Sequence, residues 1–282
     1  MCCLCTAGQV FGTRPEGPAV CGVTSLAGEI YLLRSKGRDQ VEAYDVVDYR
    51  LKRSLTVPDV HAFTDMTSCE HYRCMYIGDP IAECVHRLDV EGTVTQWAVN
   101  DNLVGLSVNA AHNVIATCPV ARKIKEFDSH GSLVRELKLP ENVTQPSYTV
   151  QLNCGQFIVC NGDPGDEIHR VCKISEDGRH IVQSHGGQPG SYTGLYHGRV
   201  HLAVDNDDSV FVIDAINWRV TLLSSTLDFV REVVSYDQLK GWPASLYLDR
   251  KTRCLYVAVN EWKDGQCRSQ STAGQVVVVR GV

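Results

Sequence analysis

A catalytic zinc needs three protein ligands converging on one point, so the ten histidines and thirteen cysteines of this chain are the first residues to weigh. The histidines scatter, as in His71, His130, His180 and His185, and none stands in an H-E-x-x-H pattern. The cysteines show no two pairs at zinc-finger spacing. Several, such as Cys160 in QFIVCNGD, sit inside apolar strand-like runs, where a free cysteine packs as a small hydrophobe. There is no G-x-S-x-G elbow and no glycine-rich phosphate loop. The expectation is reduced, buried thiols, no metal, no cofactor and no catalytic residue, in a reducing, cytoplasmic setting.

Whatever chemistry remains must be positioned by strands. A short β-rich motif recurs six times: EIYLL (29–33), CMYIGD (74–79), NVIATC (113–118), QFIVCN (156–161), SVFVID (209–214) and CLYVAV (254–259). Taking Tyr31, Tyr76, Ile115, Ile158, Phe211 and Tyr256 as markers, the steps are 45, 39, 43, 53 and 45 residues. A period in this range is the signature of a propeller or solenoid. Each marker is preceded by another apolar strand and a turn, and followed by a third strand and, in most repeats, a fourth. Nowhere do apolar residues recur at helical spacing over three turns. The pattern predicts an all-β fold, a six-bladed β-propeller of four-stranded blades. The blades run approximately over 19–59, 63–101, 103–142, 145–187, 199–238 and 243–282, as one domain over 1–282. Only three strands remain for the sixth blade. A strand within 3–13 is expected to complete it and close a monomeric ring, which removes an exposed sheet edge.

The fifth repeat, VHLAVDNDDSVFVIDAINWRVTLL (200–223), resembles an NHL repeat. The resemblance places the family's first Asp at Asp205, its second at Asp214, and its Asn and Arg at Asn217 and Arg219. Arg87, Lys123 and Arg170 match Arg219 in other blades, and blade two keeps an Asp as Asp79. These residues are expected to be structural, an Arg pairing with an Asp at its own strand end. NHL propellers occur in tripartite-motif ubiquitin ligases, amidating lyases and lactonase-like proteins. The resemblance therefore implies either recognition of protein or RNA, or a metal-dependent site in the central channel.

In such a ring the innermost strands begin at Gly22, Asp65, Gly105, Tyr148, His201 and Ser245. One histidine with Asp65 across from it falls short of a catalytic zinc site. Two glycines and a tyrosine do not make the oxygen-rich centre that calcium needs. The lyase-like or lactonase-like enzyme is therefore the alternative reading. RNA binding is weaker still. The net charge of −6 and pI near 5.9 offer phosphate no general attraction, and the predicted loops carry more acidic than basic residues. No run of 18 apolar residues offers a membrane span.

The same loops are rich in aromatics, which anchor protein interfaces. The expected partner is a protein, docked through Trp262, Trp218, Tyr192 and Tyr196 on the loops and Tyr148, His201 and Asp65 at the channel. A substrate-recognition scaffold of a ubiquitin-ligase-like system is one form this takes.

Overall fold

The computed structural model describes residues 9–11, 19–34, 40–162, 167–192, 195–196, 201–261 and 274–282. Runs such as IYLL (30–33) and VFVI (210–213) are short and apolar at successive residues, so they need cover on both faces. A ring of radially stacked sheets provides it.

The first strand, β1 (Gln9–Phe11), belongs to the last sheet. Blade one holds β2 (Val20–Leu26), β3 (Glu29–Arg34), β4 (Gln40–Asp45) and β5 (Leu51–Thr56). Blade two holds β6 (Met66–Cys69), β7 (Cys74–Asp79), β8 (Cys84–Asp89) and β9 (Val94–Ala98). Blade three holds β10 (Gly105–Val108), β11 (Val114–Cys118), β12 (Lys123–Phe127) and β13 (Leu133–Lys138). Blade four holds β14 (Pro146–Gln151), β15 (Phe157–Asn161), β16 (His169–Ile174) and β17 (Ile181–Gly187). Blade five holds β18 (Leu202–Val204), β19 (Val210–Asp214), β20 (Arg219–Leu223) and β21 (Phe229–Val234). A one-turn helix, α1 (Tyr236–Leu239), leads into blade six, made of β22 (Trp242–Asp249), β23 (Cys254–Asn260) and β24 (Gly274–Arg280). That helix is too short to leave a helical period in the sequence.

The six sheets are four-stranded and antiparallel, and the chain forms a six-bladed β-propeller. The N-terminal strand closes the ring as expected: β1 lies antiparallel to β24, with Gln9 opposite Val278 and Phe11 opposite Val276.

Burial grades outward along each blade. The second strands β3, β7, β11, β15 and β19 are buried at every residue, whereas β5, β13 and β17 alternate between half-buried and exposed. Six hydrophobic clusters account for this, each spanning one seam between neighbouring blades. Ile30 and Leu32 of β3, for example, pack with Tyr256 and Val278 of blade six. No blade closes its core alone.

Hairpin turns are set by local chemistry. Ala27 and Gly28 both have positive φ, the twist a two-residue hairpin needs. Elsewhere an Asp or Asn ends the strand and accepts the N–H groups of the turn. Asp205 does so for Asp207 and Ser209, and Asn109 for Ala111 and Asn113. Asp205, the family's first Asp, is thus a turn-forming residue.

The seam between blades six and one is also pinned by polar groups. Val20 N–H donates to Asn260 Oδ1 at 2.8 Å, and Asn260 Nδ2 donates to the Val20 carbonyl at 2.9 Å. Arg34, in an ion pair with Glu42 at 2.9 Å, also donates to the Gly274 carbonyl. Replacing Asn260 with Ala leaves buried backbone groups unpaired, so Asn260→Ala should lower unfolding stability by about 2 kcal/mol, read as a shift in urea midpoint.

Candidate functional site

The inner strands bring the channel residues closer together than their sequence positions suggest. Asp65 comes from blade two and His201 from blade five, opposite blades, yet His201 Nε2 lies 3.4 Å from Asp65 Oδ1. The other Asp65 oxygen accepts the Leu106 N–H at 2.7 Å. The Tyr148 ring lies 3.8 Å from the His201 ring, and its hydroxyl donates to the Leu106 carbonyl at 2.7 Å. All three side chains are buried. Gly105 makes the close approach feasible: a Cβ there would meet the Ser147 carbonyl oxygen at 2.7 Å. Tyr148, His201 and Asp65, expected to serve as a binding surface, are buried, and Tyr148 also lines the cavity beside them. Beyond them a cavity of about 310 Å³ reaches the opposite face, lined among others by Glu70, His71, His112 and Tyr247.

The last residues of several second strands are buried polar groups that hold neighbouring segments. In blade five, Asp214 faces Arg219 across the ladder, and Arg219 donates to its carboxylate at 2.8 and 2.9 Å. Asn217 adds a third bond at 2.8 Å. Arg219 also reaches the carbonyls of Ser191, Tyr192 and Leu195, tying down the segment that enters the blade. In blade four, Arg170 faces Asn161 and donates to the Asn142 carbonyl of the corresponding segment.

Blade two departs from this plan. Arg87, read from the sequence as the counterpart of Arg219, is not opposite Asp79. It faces Tyr76 on the other side of the sheet, and the residue facing Asp79 is Cys84. A displacement of three residues along a strand reverses the side on which a side chain stands. Asp79 meets Cys84, His86 and His61 instead, and among the described residues the first three form the group whose ligand atoms lie close enough to share a cation. Burial pushes the Cys84 thiol up to about 11, with Asp79 adding to the shift, and lowers His86. No linear motif marks this group, because its residues lie on two strands. The i, i+2 spacing of Cys84 and His86 was its one linear signal.

On the face carrying the loops between second and third strands, and the links between blades, the expected aromatics divide. Tyr192 is 80% exposed, and Trp218 stacks on Tyr236 with ring centres 4.8 Å apart. Tyr196 is not a surface residue: its ring packs near His185, its hydroxyl is 3.3 Å from Thr221, and it is buried. Trp262 lies outside the described residues. The same face exposes apolar residues that the aromatic count overlooked, Ile81 and Val120.

No protein-family model and no curated protein matches the chain. Solved structures do. It is similar to a streptogramin B lyase structure at 11% identity and TM-score 0.64, covering 96% of this chain and 97% of that one. A catalytically inactive virginiamycin B lyase from Staphylococcus aureus with quinupristin is 12% identical with TM-score 0.65, covering 95% and 98%. The WD40 repeats of RRP9 are 13% identical with TM-score 0.65, covering 98% of both chains. At these identities the likeness is one of fold.

Removing one partner of a buried ion pair strands the other charge. Arg219→Ala should therefore lower stability by about 3 kcal/mol and exceed the loss in Arg87→Ala, as compared by chemical denaturation.

Proposed function

We propose that this chain is a non-catalytic, NHL-type binding propeller that recognises a protein through its loop face. The carrying observation is the set of large apolar side chains exposed there. Val120 is 82% exposed, Tyr192 80%, Ile81 68% and Tyr236 57%. Ile81 and Val120 project from loops between second and third strands, and Tyr192 and Tyr236 from links between blades. Leaving such groups in water on one face has a cost that contact with a partner removes. A role as the substrate-recognition part of a ubiquitin-ligase-like assembly suits such a face.

The competing reading is a metal-dependent lyase-like or lactonase-like enzyme with its site in the channel. It draws support from two buried polar atoms without a partner, His201 Nδ1 and Ser245 Oγ, and from the adjoining cavity. Against it stands that, among the described residues, no group of three possible metal ligands lies beside Tyr148, His201 and Asp65.

The test uses the full chain as bait in a crosslinking pull-down, beside a Val120→Ser/Tyr192→Ser double variant. Because both side chains are exposed, stability should stay within about 0.5 kcal/mol, while capture of the specific partner falls at least tenfold. A partner held equally by the variant, but lost on His201→Ala, would defeat the loop-face reading. Turnover of a lactone panel that disappears in His201→Ala would favour the channel enzyme.

A further inference from the structure

Blades two and five carry the same buried carboxylate in different company. Asp79 and Asp214 each end a second strand, and both are wholly buried. In blade five the residues facing Asp214 and Val212 are Arg219 and Thr221. In blade two the residues facing Asp79 and Ile77 are Cys84 and His86. Blade two has therefore exchanged the guanidinium that neutralises the carboxylate for a thiol and an imidazole. A buried carboxylate is paired, hydrogen-bonded or bound to a metal.

The backbone supplies part of what Asp79 needs. Its Oδ1 accepts the N–H groups of Ile81 and Ala82 at 3.0 Å, and Oδ2 accepts that of His61 at 2.6 Å. None of these donors carries charge, and Oδ2, which accepts one N–H, keeps a further lone pair. Around that carboxylate the donor atoms of other side chains gather. Cys84 Sγ lies 3.4 Å from His86 Nε2, His86 Nε2 lies 4.0 Å from Asp79 Oδ2, and His61 Nδ1 lies 3.4 Å from Asp79 Oδ2. The sulfur, imidazole nitrogen and carboxylate oxygen all fall within 4.8 Å of one another. Zinc bonds of about 2.0 Å to nitrogen and oxygen and about 2.3 Å to sulfur set tetrahedral edges at about 3.3–3.7 Å. The Cys84–His86 and His61–Asp79 separations of 3.4 Å already lie in that range, and the His86–Asp79 separation of 4.0 Å lies just outside it.

We infer that Asp79, Cys84 and His86 of blade two form a site for a zinc-class divalent cation, with His61 of the preceding segment as fourth ligand. The donor set excludes the hard alternatives: magnesium and calcium take oxygen ligands, whereas one thiolate with imidazoles suits zinc. Charge also balances. On binding, the Cys84 thiol releases its proton to solvent, and the resulting thiolate and the Asp79 carboxylate together neutralise the cation. His86 binds through Nε2 and keeps its proton on Nδ1. Asp79, Cys84 and His86 are buried, whereas the His61 side chain is 61% exposed, so the outermost ligand marks the way in. A cation there would clamp the incoming segment to the end of β7, the task Arg219 performs in blade five.

The experiment uses the full chain, stripped with a chelator and titrated with Co²⁺ and then Zn²⁺. One equivalent of Co²⁺ should produce a thiolate-to-cobalt charge-transfer band with tetrahedral d–d bands, and one equivalent of Zn²⁺ should abolish both. Cys84→Ser and His86→Ala should each weaken zinc affinity at least tenfold, and Cys84→Ser should also remove the thiolate band, whereas His201→Ala should bind as the parent does. Cys84→Arg restores the blade-five pairing, so it should fold and take up no metal, which covers the case of a misfolded serine variant. Absence of the cobalt band in folded parent protein would overturn the proposal. So would a thiolate band that persists in Cys84→Ser or Cys84→Arg, since another cysteine would then hold the metal.

Discussion

Where each second strand ends, the chain turns away from its neighbours and leaves polar backbone at the edge of a dry seam. That buried backbone must find partners, and the side chain at this one position decides how. Asn260 grips both backbone groups of Val20 across the ring closure. Asn161 accepts the Gln145 N–H ahead of blade four. Asp214 recruits Arg219, which extends to three carbonyls of the incoming segment. Asp79 takes the His61 N–H directly and has a thiol and an imidazole where blade five has its cation.

The ring follows from the same economy of cover. A four-stranded sheet with an apolar second strand on both sides needs another sheet against each face, and six seams satisfy six sheets only if the first meets the last. Closing six blades draws the innermost strands so near the axis that side chains from opposite blades touch. His201 and Asp65 meet there, with the Tyr148 ring packed at a tilt against His201. Packing at the centre thus brings three buried polar side chains together beside a cavity of about 310 Å³, and large apolar side chains are exposed at the rim.

The second strands were legible in the sequence because burial on both faces imposes an uninterrupted apolar run, which IYLL and VFVI display. The aspartates and asparagines of the hairpins were legible because an Asx turn is made within four residues. The position of Arg87 was not legible, because residue type near a strand start carries no register, and three steps along the strand place it against Tyr76 instead of Asp79. Tyr196 belongs to a glycine-rich stretch with every local mark of a surface loop, yet its ring is drawn in beside His185 and Thr221 by the blade it crosses.

The order of residues alone determined the repeat, the strand count of each blade and the need for a strand from the other end of the chain, because these rest on periods of two and of about 45 residues. Tertiary structure decided which side chains meet: His201 with Asp65 across 136 residues, Val20 with Asn260 across 240, and Asp79 with the pair Cys84 and His86. Linear spacing encodes direction only within a strand. Contact between blades depends on how far each sheet leans toward the axis, and that is set by the packing of all six seams at once.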